Sequence, residues 1–391
     1  MKLLLVCDDT IVCHEGKYYF PNQERFDFYQ RYLRVFEELR LCARAEEEKA
    51  LKKSRIPIEK EPRLEYFALP DFHGPKQYFT KYCSVGKVLK RSTEACDAAV
   101  LRLPSTVAQR VYKYVKKAGM PYAVEVVFDS HDGLVSAKKL YLKVLYYKIY
   151  KQLVNTCHHA DGVACVTEHY LQQRYYSTKP NAFTSNYSSL ALDKSFYSAP
   201  RSFPDKKEFV IAHTAKQVMF NGRKGHNELI HAVKMLKDAG VIVHVNFAGA
   251  DYNNGVERLS ELVNKLGLQE QIHFVGFLSR EELDKFLSDA DLYVMPTKAE
   301  GLPRVIIEAM AKGLPCITTP VSGNPELLAD YYLVDYDDVT LLAKRIKELV
   351  TEKTLYEKAS QENYNNSLKY EAHILQEKRD DFYMKLKQTI K

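Results

Sequence analysis

The sequence predicts two tandem α/β domains, each a parallel sheet covered by helices on both faces, and three observations predict them. The chain has 391 residues, too many for one ordinary core and enough for two domains of about 150 to 200 residues. Apolar runs of strand length alternate along it with amphipathic stretches of helix length. The apolar runs show little in/out alternation, as strands buried on both faces do.

Taken in order, the first run is KLLLVC (2–7). It meets Asp8 and Asp9 within a few residues and carries a single lysine, so it reads as a buried first strand and not as a leader or membrane span. DAAVLRL (97–103), YAVEVVF (122–128) and GVACVT (162–167) follow, with helical stretches near 106–118 and 136–155 between them. A polar segment rich in Ser and Asn, 181–208, interrupts the pattern. It restarts with FVIAHTA (209–215), VIVHVNFAG (241–249), IHFVGF (272–277), LYVMPT (292–297) and PCITT (315–319). The interruption puts the boundary between a first domain, 1–195, and a second beginning at 196.

Composition narrows the function classes. With 46% hydrophobic and 27% charged residues the chain is that of a soluble globular protein. Its eight cysteines are scattered with no CxxC pair, which suits a reducing, cytoplasmic setting. Cys157-His158-His159 has no second ligand cluster at zinc spacing, so no metal site is expected there. Residues 1–200 hold 31 of the 57 Lys and Arg but only 22 of the 50 Asp and Glu, so the net charge of +7 arises in the first half. An anionic partner is expected on that half, a membrane surface or a charged substrate and not a nucleic acid.

The stretch PTKAEGLPRVIIEAMAKGLPCITTPVSGNPE, 296–326, carries the chemistry. Glu300 sits on the loop leaving LYVMPT, at the sheet end where open α/β folds bind ligands. Pro303 suits the first helical turn, which puts the backbone of Gly301 and Leu302 at a helix N-terminus, and Glu308 falls one to two turns inside. A carboxylate accepts from a vicinal pair of hydroxyls, as in a ribose or a hexose. Upstream, Arg223-Lys224-Gly225 lies between FVIAHTA and an amphipathic helix, where a fork and a point charge can neutralise a diphosphate. Gly249 marks a close approach at the next strand end, and the backbone around Phe277 can read a base edge. Asp289-Ala290-Asp291 spells a metal-binding pattern of some sugar transferases, but at the opposite sheet end, so no essential metal is expected.

In this order, Arg-Lys-Gly, strand-Ala-Gly, Val-Gly-Phe, strand-Pro-Thr and Glu-Gly-Leu-Pro-x-Val-x-x-Glu-Ala-Met-Ala-x-Gly-x-Pro-x-Ile resemble glycosyltransferase family 4, retaining enzymes of the GT-B fold. The resemblance is clear over 205–345 and weaker before it. It implies GT-B architecture: two Rossmann-like domains facing a cleft, a donor-binding second domain over 196–363, and a C-terminal helix, 364–391, crossing back to the first. It implies a UDP- or GDP-linked sugar as donor and a glycan or lipid-linked acceptor, with cell-surface polysaccharide as the product. Arg223 and Lys224 match the cations on the donor diphosphate, Glu308 the acid on the nucleotide ribose, and Glu300 the acid at the transferred sugar, with Gly301 and Leu302 beside it. In VEVVFDSHDG, with Asp129, His131 and Asp132, His131 matches a family histidine near the transferring sugar. The first strand's loop, CDDTIVCHEGKYYF, departs from the family: only Gly16 stands where many members have a glycine pair, which leaves acceptor contacts there open. Two other readings keep the fold, a nucleotide-sugar 2-epimerase and a catalytically idle scaffold.

Finally, SAKKLYLKVLYYKIYKQLVN, 136–155, interleaves Lys138, Lys139, Lys143, Lys148 and Lys151 with leucines and tyrosines. As a helix it should bury one apolar stripe on its sheet and present lysines elsewhere, which suits peripheral association with an anionic, cytoplasmic membrane face.

Overall fold

In the computed structural model, residues 1–72, 74–131, 134, 139–190 and 192–390 are described. The chain forms two compact units, Met1–Tyr187 with Gln376–Lys391, and Ser188–Leu375.

The first unit is built on a nine-stranded sheet. β1 (Lys2–His14) runs parallel to β3 (Glu38–Glu47) on one side and to β6 (Ala98–Leu103) on the other. β5 (Leu64–Leu69) extends the sheet beyond β3, while β7 (Tyr122–Val126), β8 (Gly162–Cys165) and β9 (Phe183–Asn186) extend it beyond β6, all in parallel. Leu3, Leu4, Leu5, Ala99, Val100, Leu101 and Val124 are fully buried, as strands covered on both faces must be.

The segment after the first apolar run is not a loop. β1 continues to His14 and turns back through Glu15 and Gly16, at φ 49° and 76°, into antiparallel β2 (Lys17–Phe20). Two successive positive φ angles make a tight hairpin turn, and this is the use to which Gly16 is put. β4 (Ile56–Pro57) then pairs with β2.

The 136–155 stretch also differs from expectation. A helix spans Leu140–His158, but only Leu153, Thr156 and Cys157 are buried. Leu140, Tyr141, Val144, Leu145 and Tyr147 are exposed, so the apolar stripe meets the core through its last turns alone. Lys138 lies outside the described residues.

The second unit holds a parallel sheet in the order β12-β11-β10-β13-β14, from β10 (Phe209–Val218), β11 (Val243–Asp251), β12 (Ile272–Gly276), β13 (Leu292–Met295) and β14 (Cys316–Thr318). The boundary between units falls at 187/188, before the position suggested by composition, because the connecting segment packs on the second unit. Leu192 forms a β-bridge with Glu371, and its carbonyl accepts from Ala372 N–H at 2.9 Å; further on, the Arg201 guanidinium donates to the carbonyls of Lys312, Ala290 and Leu287. Residue 364 falls within the helix Lys353–Ser367, and the last helix begins at Ala372.

That last helix, Ala372–Gln388, is bound into the first unit by one buried carboxylate. Glu125, 3% exposed on β7, accepts from Tyr383 at 2.5 Å, from Tyr187 and Tyr32 at 3.0 Å each, and from Arg102 at 2.9 Å. Burial would raise this carboxyl, but the Arg102 charge and the hydroxyls of Tyr383, Tyr187 and Tyr32 hold it below its usual range. Replacing Glu125 by Leu would strand the Arg102 charge and three hydroxyls. We expect a loss of about 3–5 kcal/mol, against about 1 kcal/mol for Tyr383→Phe, read from urea midpoints. Equal small losses would show the cluster to be incidental.

Candidate functional site

Two segments of the second unit meet at the carboxyl end of its sheet. The segment after β10 brings Arg223, Lys224 and Gly225, and the segment after β13 brings Thr297 to Pro303. Their backbones are fastened to one another. Lys298 N–H donates to the Arg223 carbonyl at 2.8 Å. Gly225, at φ 74°, precedes the helix His226–Asp238, and a Cβ there would lie 2.0 Å from the Pro296 carbonyl oxygen. Only glycine lets the two segments come this close.

That approach brings Lys224 and Glu300 into an ion pair. Glu300 Oε1 also accepts from Thr297 Oγ1 at 2.9 Å, and its side chain is 11% exposed against 31% for Lys224. Arg223 is exposed. The β13 exit is braced from β14, where Thr318 Oγ1 donates to the Met295 carbonyl at 2.8 Å and Thr319 Oγ1 to the Thr297 carbonyl at 2.5 Å. The helix Arg304–Ala311 begins one residue after Pro303, which serves as its cap. Leu302 and Glu308 are buried, the latter at 7% exposure, and Gly301 offers its carbonyl to the Gly323 N–H at 3.0 Å.

The other predicted residues stand at neighbouring strand ends. Gly249, on β11, is a close approach to the protein's own backbone: a Cβ there would meet the Ala215 carbonyl oxygen at 2.4 Å. Phe277 follows β12 with 73% of its surface exposed. Asp291 is buried just before β13, at the opposite sheet end, accepting from Val210 N–H at 2.7 Å and Lys206 at 2.6 Å. Among the described residues no three His, Cys, Asp or Glu side chains are grouped as metal ligands. His131 belongs to the first unit, at the β7 exit, its ring edge-on to Tyr150 at 5.4 Å. Asp129, fully buried, holds that turn by accepting from His131 N–H at 2.9 Å, Tyr175 at 2.6 Å and Arg174 at 3.2 Å. Asp132 lies outside the described residues.

Sequence reasoning missed a pair of histidines beneath the cations. His213, inside β10 and fully buried, donates from Nε2 to the Lys224 carbonyl at 2.7 Å. His226 lies against it with ring centroids 4.6 Å apart and ring planes tilted by 43°, and Phe247 packs against both. The available signal was a histidine inside the apolar run FVIAHTA, since buried polar residues need a reason. Burial, with the nearby Lys224 charge, pushes His213 down to about 4, and burial, with His213 and Lys224, pushes His226 down to about 2. His213 is therefore neutral, as a donor to one carbonyl should be.

Two α/β units built on parallel sheets, the second carrying two cations, a glycine-held approach and an acid at one carboxyl edge, give the chain the GT-B fold. Residues 201–366 match the family model described as glycosyl transferases group 1. Over its whole length it is 24% identical to Protein CapJ of Staphylococcus aureus, covering 97% of that protein. It is 22% identical over 61% of its length to 62% of the Escherichia coli UDP-Gal:alpha-D-GlcNAc-diphosphoundecaprenol alpha-1,3-galactosyltransferase. Among solved structures, Anabaena HepE in complex with UDP-glucose matches 97% of the chain and 98% of its own at a TM-score of 0.67 and 15% identity.

The histidine pair generates a pH prediction. Between pH 6.5, the ordinary histidine value, and about 4 for His213 or about 2 for His226, the unfolded chain binds protons that the folded unit refuses. Stability therefore falls as pH drops through that window, by about 1.4 kcal/mol per pH unit for each such group. Neither ring nitrogen of His226 has a hydrogen-bond partner, so His226→Phe forfeits none. We expect the variant to be about 2 kcal/mol more stable than the parent at pH 5 and little changed at pH 7.5, by urea unfolding. Parallel pH profiles would contradict this.

Proposed function

We propose that the chain moves a sugar, with retention of configuration, from a UDP- or GDP-linked donor to a lipid-linked or glycan acceptor in cell-surface polysaccharide assembly. The observation that carries this reading is the Lys224–Glu300 pair at the carboxyl edge of the donor-side sheet. Arg223 and Lys224 take the donor diphosphate, Glu308 the ribose hydroxyls, and Glu300 the hydroxyls of the transferred sugar. Gly225 and Gly249 let backbone segments close up around these groups, while Gly301, Leu302 and the exposed Phe277 complete the sugar and base ends. For His131, which belongs to the first unit, the role at the sugar rests on the family resemblance alone.

In this reading the acceptor hydroxyl approaches the anomeric carbon on the face that the diphosphate leaves. The carbon–oxygen bond to the diphosphate breaks, the bond to the acceptor oxygen forms, and the hydroxyl proton passes to the departing phosphate oxygen. No protein nucleophile is needed. Lys224, released from Glu300 by the arriving diphosphate, meets the charge that grows on the leaving group. Glu300, released from Lys224, is then an acceptor for sugar hydroxyls.

Support for a nucleotide-sugar donor comes from HepE, whose solved complex contains UDP-glucose. Support for a lipid diphosphate acceptor comes from the E. coli relative, whose name specifies one. No described helix is long and apolar enough to cross a membrane. A place at the inner face of the plasma membrane would rest on the exposed apolar residues and lysines of the helix Leu140–His158.

Screening a donor panel for nucleoside diphosphate release, with the anomeric configuration of the product read by NMR, tests the reaction; inversion would exclude the step above. Lys224→Ala should cut kcat by about 2–4 kcal/mol in barrier. Glu308→Gln should weaken UDP or GDP and the intact donor alike. Glu300→Gln should weaken only the intact donor, because it also removes the charge that competes with phosphate for Lys224. Equal losses of nucleoside diphosphate in both acid variants would end this division of roles.

Membrane association is tested separately by vesicle sedimentation. Recovery with vesicles should require anionic lipid, fall as salt rises, and drop when Lys139, Lys143 and Lys148 become Glu. Equal recovery with neutral vesicles would remove the membrane from the reading.

A further inference from the structure

The first unit contains a groove of about 590 Å³, and its lining is mixed in a specific way. Its walls are apolar and aromatic, from Phe72, Tyr78, Phe79, Tyr82, Leu145 and Ile149. Phe79 is 73% exposed, Leu145 45% and Tyr82 44%, a degree of apolar exposure that a solvated surface does not call for. The charged groups of the lining are Arg44, Arg110 and Lys113 against the single carboxylate of Asp8. The groove lies at the carboxyl ends of β3, β5 and β6, marked by Arg44, Phe72 and Thr106, where an open α/β sheet binds ligands.

Arg110 distinguishes this groove from a merely sticky surface. Its side chain is 9% exposed, and Gly86 leaves the room it occupies, since a Cβ there would lie 2.3 Å from Nη2. Nη1 donates to the Tyr82 carbonyl at 2.7 Å, and the guanidinium stacks on the Tyr82 ring at 3.4 Å. Nε has no hydrogen-bond partner, and no carboxylate pairs with Arg110 among the described residues. Arg44 is similar: it pairs with Asp8 at 3.2 Å and donates to the Phe72 carbonyl at 3.0 Å, but its Nε is also unpartnered. A buried guanidinium without a counter-charge is costly unless an anion completes it.

We propose that this groove binds the lipid diphosphate portion of the acceptor. Arg110 and Arg44 meet the diphosphate, and the first isoprene-like units of the tail lie against Phe79, Tyr82 and Leu145. A guanidinium pair favours a diphosphate over a single phosphate because two forks have two phosphoryl groups to hold. The exposed Leu140 and Tyr141, a turn from Leu145 on the same helix, would carry the rest of the tail toward the bilayer. The assignment rests on the transferase reading for its occupant, and not for the groove itself.

The test is calorimetric titration of the full chain with farnesyl diphosphate, farnesol, inorganic diphosphate and a short-chain phosphatidylglycerol, each below its micelle concentration. Titrations are repeated in the Lys224→Ala variant, so that binding at the donor cations is separated from binding at the groove. Farnesyl diphosphate should bind about tenfold or more tighter than any of the other three, and should do so with Lys224→Ala as well. Arg110→Met should weaken it about tenfold or more, the scale of a hydrogen bond to a charged group, and leave farnesol unchanged. Phe79→Ala, at an exposed position that folding does not need, should weaken farnesyl diphosphate and farnesol together. Binding lost with Lys224→Ala but kept with Arg110→Met and Phe79→Ala would place the ligand elsewhere and overturn the groove. Equal binding of phosphatidylglycerol would overturn the diphosphate. UDP titration reports on the transferase reading alone: a chain that binds UDP but no farnesyl diphosphate keeps that reading and loses this one.

Discussion

The site depends on the contact between Gly225 and Pro296, where a Cβ would lie 2.0 Å from the Pro296 carbonyl oxygen. Everything chemical in the second unit follows from the exits of β10 and β13 being held that close. The Arg223 carbonyl is tied to Lys298 N–H, and the Lys224 carbonyl to His213. With both carbonyls fixed, the side chain of Lys224 reaches Glu300 on the other segment. Any larger residue at 225 would separate the segments, and the pair with them. The neutral His213–His226 pair is the cost of the arrangement, since two buried imidazoles make the unit sensitive to acid.

The meeting of these residues at one sheet edge was legible in the sequence because they are carried by short, contiguous runs. Arg223-Lys224-Gly225 and Glu300-Gly301-Leu302-Pro303 each sit directly after an apolar strand, so the topology alone brings them to one sheet edge. What a single sequence could not supply was their mutual contact. Spacing says that Lys224 and Glu300 lie at the same edge; it takes the φ of 74° at Gly225 and the bracing of β13 by Thr318 and Thr319 to make them a pair. Gly249 shows the converse. The sequence marks it as a close-approach glycine at the ligand-binding sheet end, and what it approaches in the structure is the backbone of Ala215 on the neighbouring strand.

In the first unit the legibility was lower, for a physical reason. β3 and β5 carry ELRLCARAEE and LEYFAL, where charged residues interrupt the apolar run, and periodicity does not separate such runs from loop. The hairpin of β1 and β2 was hidden because Asp8, Asp9 and Thr10 end the apolar stretch while the strand itself continues to His14. Glu125 was a lone acid inside YAVEVVF, and its partners come from residues 32, 102, 187 and 383, separations over which pattern carries no information.

The Lys224–Glu300 pair also bears on how binding energy could be used. A donor entering a site of two unopposed cations would gain all of their attraction in the bound state and keep none for the reaction. Here one cation is already satisfied, so in the proposed reaction a diphosphate would have to displace a carboxylate to reach it. The ground state gains only the difference between two anions competing for one ammonium. As the bond to the sugar breaks, charge accumulates on the diphosphate and not on Glu300, and the competition shifts toward the leaving group. An interaction that strengthens along the reaction lowers the barrier where uniform binding would not. The displaced carboxylate is left partly buried, with Thr297 as its remaining partner, and a hydroxyl-rich sugar placed beside it would satisfy it. Under the proposed function the resting pair would thus couple the two ends of the donor: the diphosphate would be held best when a sugar is present to hold Glu300.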